Sequence, residues 1–332
     1  MEFKESDIRP VSIVEGQQKY IEADRSRLLQ HKDDFVLISC PACDSKKSAK
    51  ALVKNELTYF RCSQCSTLYV NPRPTAAILE ECYANSEVYA YWNEYMFPAS
   101  DTVRREHIFK PRVKRLASIC EKYGIENATL LEVGAAFGTF CEEAKSCDIF
   151  RRIIAVEPTP DLAETCRRKG LEVIERPIEQ VEFEQGSIDV VASFEVLEHL
   201  FSPKEFLLSC SSLLSPGGIL VISCPSSKGF EITVLQELAD TIDHEHLNYF
   251  NPDSLSLLVA NCGFDVLEVL TPGVLDADIV RNKILAGALD VSCNPFLQQV
   301  LIDDWKLAGD QFQQFLSDNL LSTHMWMVAS KK

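Results

Sequence analysis

From residue 128 onward, short runs of β-branched and aliphatic residues alternate with stretches of amphipathic helical pattern. "ATLLEVG" (128–134), "RIIAVEP" (152–158), "LEVI" (171–174), "IDVVASF" (188–194) and "GILVISCP" (218–225) read as strands. "TFCEEAKSC" (139–147) and "DLAETCRRKG" (161–170) read as helices between them. That alternation predicts a parallel sheet covered by helices on both faces. "FDVLEVL" (264–270) and "THMWMVAS" (323–330) supply two more strands, the last one following a helical insert over about 275–320. Upstream the pattern differs. Residues 1–34 are polar and mixed, expected as a short strand or helix laid on the body. Residues 35–75 carry two cysteine pairs. Residues 76–122 read as a helical, aromatic linker or lid, opening on "PTAAILEECYAN", where proline suits a first helical turn, and containing "EVYAYWNEYMFP". No internal repeat or long low-complexity segment interrupts the 332 residues. The expected fold class is α/β: a Rossmann-like seven-stranded sheet over 123–332 behind a small N-terminal four-cysteine ribbon.

The cysteines sharpen the ribbon. Of 13, four form "CPAC" (Cys40, Cys43) and "CSQC" (Cys62, Cys65), separated by 18 residues. Two such knuckles present four thiolates to a tetrahedral zinc ion, and a complete thiolate shell leaves no open position for water, so the expected role is structural. A disulfide or redox reading lacks an oxidising or thioredoxin-like setting. "FVLIS" before the first knuckle and "LTYFR" before the second are expected as ribbon strands packing beside an active-site mouth.

Charge removes some partners. The formal net charge of −16 argues against a nucleic-acid backbone or an anionic membrane as the main partner. "MEFKESDIRPVSIVEGQQKY" has no apolar core of a secretory signal, and no apolar run approaches a membrane span. With scattered free thiols, the expectation is a cytoplasmic protein acting on a small molecule.

Candidate chemistry begins where the first strand runs into "LLEVGAAFGTF" (130–140). A Gly-rich strand-to-helix turn lets a ligand approach the backbone and a helix N-terminus. The dinucleotide fingerprint fails, because Gly134, Ala136 and Thr139 occupy its three glycine positions. A looser acidic-x-Gly-x-small-x-Gly pattern fits, with Glu132, Gly134, Ala136 and Gly138. The next strand ends at Glu157, an acidic side chain suited to a pair of ribose hydroxyls. Together with "DVVASFEVLEHL" and "LLSPGGILVIS", these segments make residues 105–270 resemble the class I S-adenosylmethionine-dependent methyltransferases. The resemblance implies a seven-stranded methyltransferase sheet and S-adenosylmethionine as cofactor. It implies a cofactor site of Glu132, Gly134, Ala135, Gly138, Glu157, Pro158, Pro177, Ile178, Phe194 and Glu195. In it Gly134 and Gly138 pass the methionine part, Glu157 holds the ribose, Pro158, Pro177 and Ile178 line the adenine pocket, and Phe194 and Glu195 sit beside the methyl group. Ala136 stands where the family often has glycine.

"DTIDHEHLNYF" (240–250) admits three readings: a His-x-His metal site, a scaffold before the helix "NPDSLSLLVANCG", or an acid–base centre for an acceptor that must lose a proton. The ribbon, the sheet and "HEHLNYF" together resemble zinc-ribbon methyltransferases of sugar and surface-polysaccharide pathways, whose relatives methylate carbon on nucleotide-linked deoxysugars. That resemblance implies His246 as base and Glu245 as its orienter or a substrate contact; His199, following the fourth strand in "EVLEHLFSP", is a second candidate by its position. It makes a nucleotide sugar the expected partner. The relatives have a tyrosine near the pair where this chain has Asp243, so the methylated atom stays open. Tyr83, Tyr89, Tyr91 and Trp92 could close a lid that excludes water, or could simply be core. Methylation of another small metabolite on oxygen or nitrogen, an inactive scaffold of the same fold, and RNA methylation guided by the ribbon are the rival readings. The acidic charge weighs against the last.

Overall fold

In the computed structural model of the protein, which describes residues 5–332, seven strands form one mixed sheet. They are β4 (Ala128–Val133), β5 (Phe150–Val156), β6 (Glu172–Ile174), β7 (Ile188–Phe194), β8 (Leu214–Pro225), β10 (Phe264–Leu270) and β11 (His324–Lys331). Their order is β10-β11-β8-β7-β4-β5-β6. β4 pairs in parallel with both β5 and β7, and β8 continues the parallel set, whereas β11 runs antiparallel between β8 and β10.

Successive residues of each central strand serve two cores. Leu131, Val191, Leu220 and Ile222 pack on one face with Phe206 and Leu207 of helix Pro203–Leu213 and Leu255 of helix Pro252–Asn261. Leu130, Val190, Ile219 and Val221 pack on the other with Val113, Leu116 and Ile119 of helix Lys110–Lys122. Both faces are dry, so these strands read as continuous apolar runs. The chain winds outward from β4 through β5 to β6, then returns to β7 on the other side of β4. That reversal opens a crevice at the carboxyl ends of β4 and β7, where such sheets bind ligands.

The ribbon is a second sheet of β1 (Ser48–Lys54), β2 (Leu57–Cys62) and β3 (Leu68–Val70). "LTYFR" forms β2 as predicted. "FVLIS" does not form a strand: residues 35–39 pair only through an isolated bridge from Val36 to Arg73, and the first ribbon strand follows its knuckle instead. The fourth strand of this sheet, β9 (Asn248–Tyr249), comes from the far end of "DTIDHEHLNYF" and pairs with β3. The ribbon is therefore sewn into the methyltransferase-like body. Arg73, fully buried, donates from its guanidinium to the carbonyls of Val70, Phe201 and Leu247. Such charge-assisted bonds are what make its burial tolerable.

Residues 11–30 form a single helix, Val11–Gln30. Its buried Asp24 accepts from Ser86 Oγ and from the backbone N–H groups of Glu87 and Val88, so it caps the next helical run from outside. From Glu87 to Lys122 that run is continuous, broken into α-helical pieces by π-helical turns at Trp92–Met96 and Arg105–Phe109. Extra-residue turns of this kind re-aim the side chains they carry. Over the insert, helices Asp276–Leu285 and Trp305–Asp318 pack beside helix Phe230–Leu235. No helix among the described residues is long and apolar enough to cross a membrane.

Candidate active site

The β4-to-helix turn shows why its residues are small. Gly134 has φ +79°, and a Cβ there would lie 2.4 Å from Val196 Cγ2. Gly138, at φ +72°, starts helix Thr139–Ala144, and a Cβ there would meet Leu171 and Cys166. Gly134 lines the cavity and Gly138 does not. The two glycines that the pattern treats alike are thus separated: one shapes the cavity wall and the other lets the helix pack. Ala136 takes φ +47°, a conformation that costs a non-glycine residue roughly 1–2 kcal/mol. Its N–H is the donor to Glu157 Oε2 at 2.7 Å, while Thr159 N–H donates to Oε1 at 2.9 Å. Glu157 is buried, which raises its carboxyl pKa against the pull of these N–H groups. Each carboxylate oxygen keeps a lone pair for a hydroxyl.

Glu132, also buried, accepts from the Cys141 thiol, and burial pushes its carboxyl up to about 8. At the end of β7, Glu195 sits at φ +55° and accepts from Ser223 Oγ at 2.6 Å. Trp326 Nε1–H donates to His324 Nε2, so His324 Nδ1 is the nitrogen that carries hydrogen toward Glu195, 3.1 Å away. Burial opposes charge on Glu195, but His324, Arg112 and Ser223 outweigh it and bring its carboxyl down to about 2. Arg112 lies 4.9 Å over the Phe194 ring. Neither Arg112 nor His324 carries a local sequence signal.

Turn, strand ends and the "DTIDHEHLNYF" loop all face one cavity of about 1620 Å³. Glu132, Gly134, Ala135, Glu157, Pro158, Pro177, Ile178, Phe194 and Glu195 line one end of it, and His199, Glu245 and His246 line it as well. That volume exceeds the 300–1,000 Å³ of a usual single-ligand pocket. Tyr83, Tyr89 and Trp92 also face the cavity, forming an edge-on and tilted aromatic series that starts at His199. Tyr91 turns away, donating its hydroxyl to the Ile13 carbonyl and stacking on Tyr20.

Within the loop, Asp243 Oδ1 accepts the backbone N–H groups of Glu245 and His246, both at 2.9 Å. His246 Nδ1 lies 2.7 Å from the Thr241 carbonyl and 3.6 Å from Asp243 Oδ2. A carbonyl can only accept, so Nδ1 carries the hydrogen and Nε2 keeps a lone pair. The carboxylate beside the ring is that of Asp243, and the predicted orienter Glu245 is a half-buried cavity-wall group whose carboxyl is raised well above the usual range by desolvation. His-x-His does not converge either: the side chains that approach His246 are His199 and Glu198 from the other strand end, not His244. His199 Nδ1 bonds the Tyr83 hydroxyl at 3.1 Å, and its ring lies 4.6 Å from that of His246. Burial, with His246 adjacent, brings His199 down to about 3, which leaves it neutral and a feeble base.

The ribbon cysteines converge. All four Sγ atoms lie within 4.8 Å of one another, with Cys40–Cys65 at 3.5 Å and Cys43–Cys62 at 3.6 Å. Thiolates about 2.3 Å from a common tetrahedral zinc would stand about 3.8 Å apart, so the set fits. The two knuckles repeat one turn. Cys40 and Cys62 carbonyls accept from Asp44 and Ser66, their N–H groups donate to Ser45 and Thr67, and Asp44 and Ser66 both have positive φ.

Comparison with known proteins bears on the family and the fold. A family model described as a methyltransferase domain matches residues 92–269, more than half of the chain. The C-methyltransferase NovU of Streptomyces niveus is 27% identical over 204 residues, 58% of this chain and 46% of that protein. The chain thus spans about half the length of that relative. A ubiquinone biosynthesis O-methyltransferase of Xanthomonas euvesicatoria is 26% identical over 47% of this chain and 70% of its own. The solved complex of the Haloferax volcanii Trm112 methyltransferase activator with a methyltransferase shares the fold at a TM-score of 0.50, 14% identity, and 73% and 97% coverage.

Proposed function

The chain belongs to the methyltransferase-domain family, and on that premise we propose that it methylates a nucleotide-linked sugar or related glycan precursor, with S-adenosylmethionine as donor and His246 as base. The observation that carries the acceptor class is the size of the cavity and what lines it: about 1620 Å³, with Lys54, Arg281 and Trp305 in its wall as well as the Gly134 turn and His246. Arg281 lies 4.9 Å over the Trp305 ring, and its buried Nε has no hydrogen-bond partner among the described residues. A donor without an acceptor in a chain of net charge −16 suits a phosphate-bearing ligand.

In this reading Glu157 holds the ribose, Gly134 and Ala135 pass the methionine part, Pro158, Pro177 and Ile178 flank the adenine, and Phe194, Glu195 and Glu132 border the reacting end. Bound S-adenosylmethionine supplies an electrophilic methyl group whose sulfur leaves with its electron pair. A carbon or hydroxyl acceptor alike must give up a proton to attack, and His246 Nε2 takes it, then returns it to solvent. Tyr83, Tyr89 and Trp92 shield that step from water. Cys40, Cys43, Cys62 and Cys65 hold a structural zinc ion. The nine other cysteines form no disulfide, which fits a reducing, cytoplasmic setting.

Calorimetry tests the acceptor class. Nucleotide-diphosphate sugars titrated into protein saturated with S-adenosylhomocysteine should bind at one site, and Arg281→Ala should weaken that binding about tenfold or more, the loss of one charge-assisted bond. Absence of binding across a panel that includes 4-keto sugars, with S-adenosylhomocysteine still bound, would overturn the acceptor and leave the donor assignment standing.

A further inference from the structure

Three side chains beside the cofactor end of the cavity converge without bonding one another. Glu198 is fully buried, faces the cavity, and neither of its carboxylate oxygens has a hydrogen-bond partner among the described residues. One of those oxygens and a ring nitrogen from each of His199 and His246 lie mutually within 4.8 Å. A buried carboxyl with both oxygens unmet is costly, so something is needed to satisfy it.

The surroundings of the two rings indicate what that partner is. His246 Nδ1–H is held by the Thr241 carbonyl at 2.7 Å, and His199 Nδ1 is held by the Tyr83 hydroxyl at 3.1 Å. Each ring therefore spends its Nδ1 on an outer partner, so Nε2 is the nitrogen left for a ligand. Metal-ligating histidines are oriented in this way, the outer bond fixing tautomer and ring plane. The peptide that carries Glu198 is equally fixed: its carbonyl accepts from Leu247 N–H at 2.7 Å and from Asn248 Nδ2 at 3.3 Å. Two elements 47 residues apart are thus locked in register, with their ligating atoms facing each other. Metal–nitrogen and metal–oxygen bonds of about 2.0–2.2 Å need the three atoms to close by about 1 Å, which side-chain rotation supplies.

We propose that Glu198, His199 and His246 form a divalent-cation site, separate from the four-cysteine cluster, that takes a late first-row metal ion. Two imidazoles and one carboxylate suit zinc, cobalt or nickel better than magnesium or calcium. Binding takes Glu198 as a carboxylate and occupies His246 Nε2. The ion then competes with the acceptor's proton for the same lone pair and inhibits turnover. The inhibition rests on the reading of His246 as base; the binding does not.

The probe is cobalt(II), titrated into full-length protein carrying one equivalent of zinc in its ribbon. The expected result is one further equivalent with a visible d–d band, no sulfur-to-cobalt charge-transfer band, and methyl transfer falling in step with occupancy. Glu198→Gln preserves side-chain volume and should weaken cobalt binding at least about tenfold while S-adenosylhomocysteine still binds. No second equivalent, a band carrying sulfur charge transfer, or an unchanged titration in Glu198→Gln would each overturn the site. If His246 is not the base, His246→Ala keeps its turnover, yet the cobalt band still depends on Glu198. The two readings therefore fail separately.

Discussion

Replacing His246 with alanine is expected to lower kcat by about 10²–10⁴-fold, the span that general-base catalysis contributes, and to leave S-adenosylhomocysteine affinity unchanged. The expectation follows from how the ring is held. The Thr241 carbonyl fixes the proton on Nδ1, and Asp243 tethers the backbone of the same residue while its other oxygen stands 3.6 Å from the ring. Nε2 is then the only basic position of the ring. His199 cannot substitute, because burial has brought it down to about 3. Glu157 and Gly134 are supported by the β4 and β5 ends, not by this loop, so the donor's binding is independent of the change. Steady-state kinetics with calorimetry make the comparison, and exogenous imidazole should restore part of the lost rate. Wild-type turnover in His246→Ala would remove the base from the mechanism.

Stripping the proposed zinc ion from the four cysteines, or replacing Cys40 with serine, should be nearly as damaging, though the ribbon contributes no reacting atom. The reason is mechanical. Tyr59 of β2 donates to the Asp243 carbonyl at 2.6 Å, Val70 N–H and Arg73 bond the Leu247 carbonyl, and Asn251 Nδ2 bonds the carbonyl of Cys65 itself. The segment bearing His246 is thus clamped between ribbon residues. Structural zinc contributes an apparent 10–16 kcal/mol in zinc-finger peptides, so a ribbon this small loses its order without it. The expected outcome is one equivalent of zinc in the intact protein. On its removal, kcat should fall at least about 10²-fold, a misplacement effect, with S-adenosylhomocysteine still bound. Full turnover in metal-free protein would show that the loop holds itself.

Much of the fold was legible because its signal is local. Strands buried on both faces are apolar at every position, and the knuckles are short fixed spacings. The ribbon's first strand escaped notice because "SAKALVK" is largely exposed and is held by pairing with β2, whereas the apolar "FVLIS" uses Phe35 and Ile38 for packing and forms no ladder. Two parts of the candidate site were legible as local motifs: Gly134 in the turn after β4 and Glu157 at the end of β5, which the Ala136 N–H meets because those strands are adjacent and parallel. The grouping of Glu198 and His199 with His246 depends on the turn after β7 meeting β9 through Asn248, which no spacing announces. Asp243, a departure from the resemblance, proves to be the carboxylate that organises the loop. Arg281 and Trp305 reach the cavity through the folding of the insert, which no local motif announces.

The most direct test is a methyl-transfer assay on zinc-replete protein with isotopically labelled S-adenosylmethionine and a panel of nucleotide sugars, 4-keto forms included, read by mass spectrometry. A nucleotide sugar heavier by one labelled methyl group, formed by the wild type and not by His246→Ala, is the predicted result, and fragmentation would identify the atom. S-adenosylhomocysteine bound at the Glu157 end with no methylated sugar from any member of the panel would contradict the account.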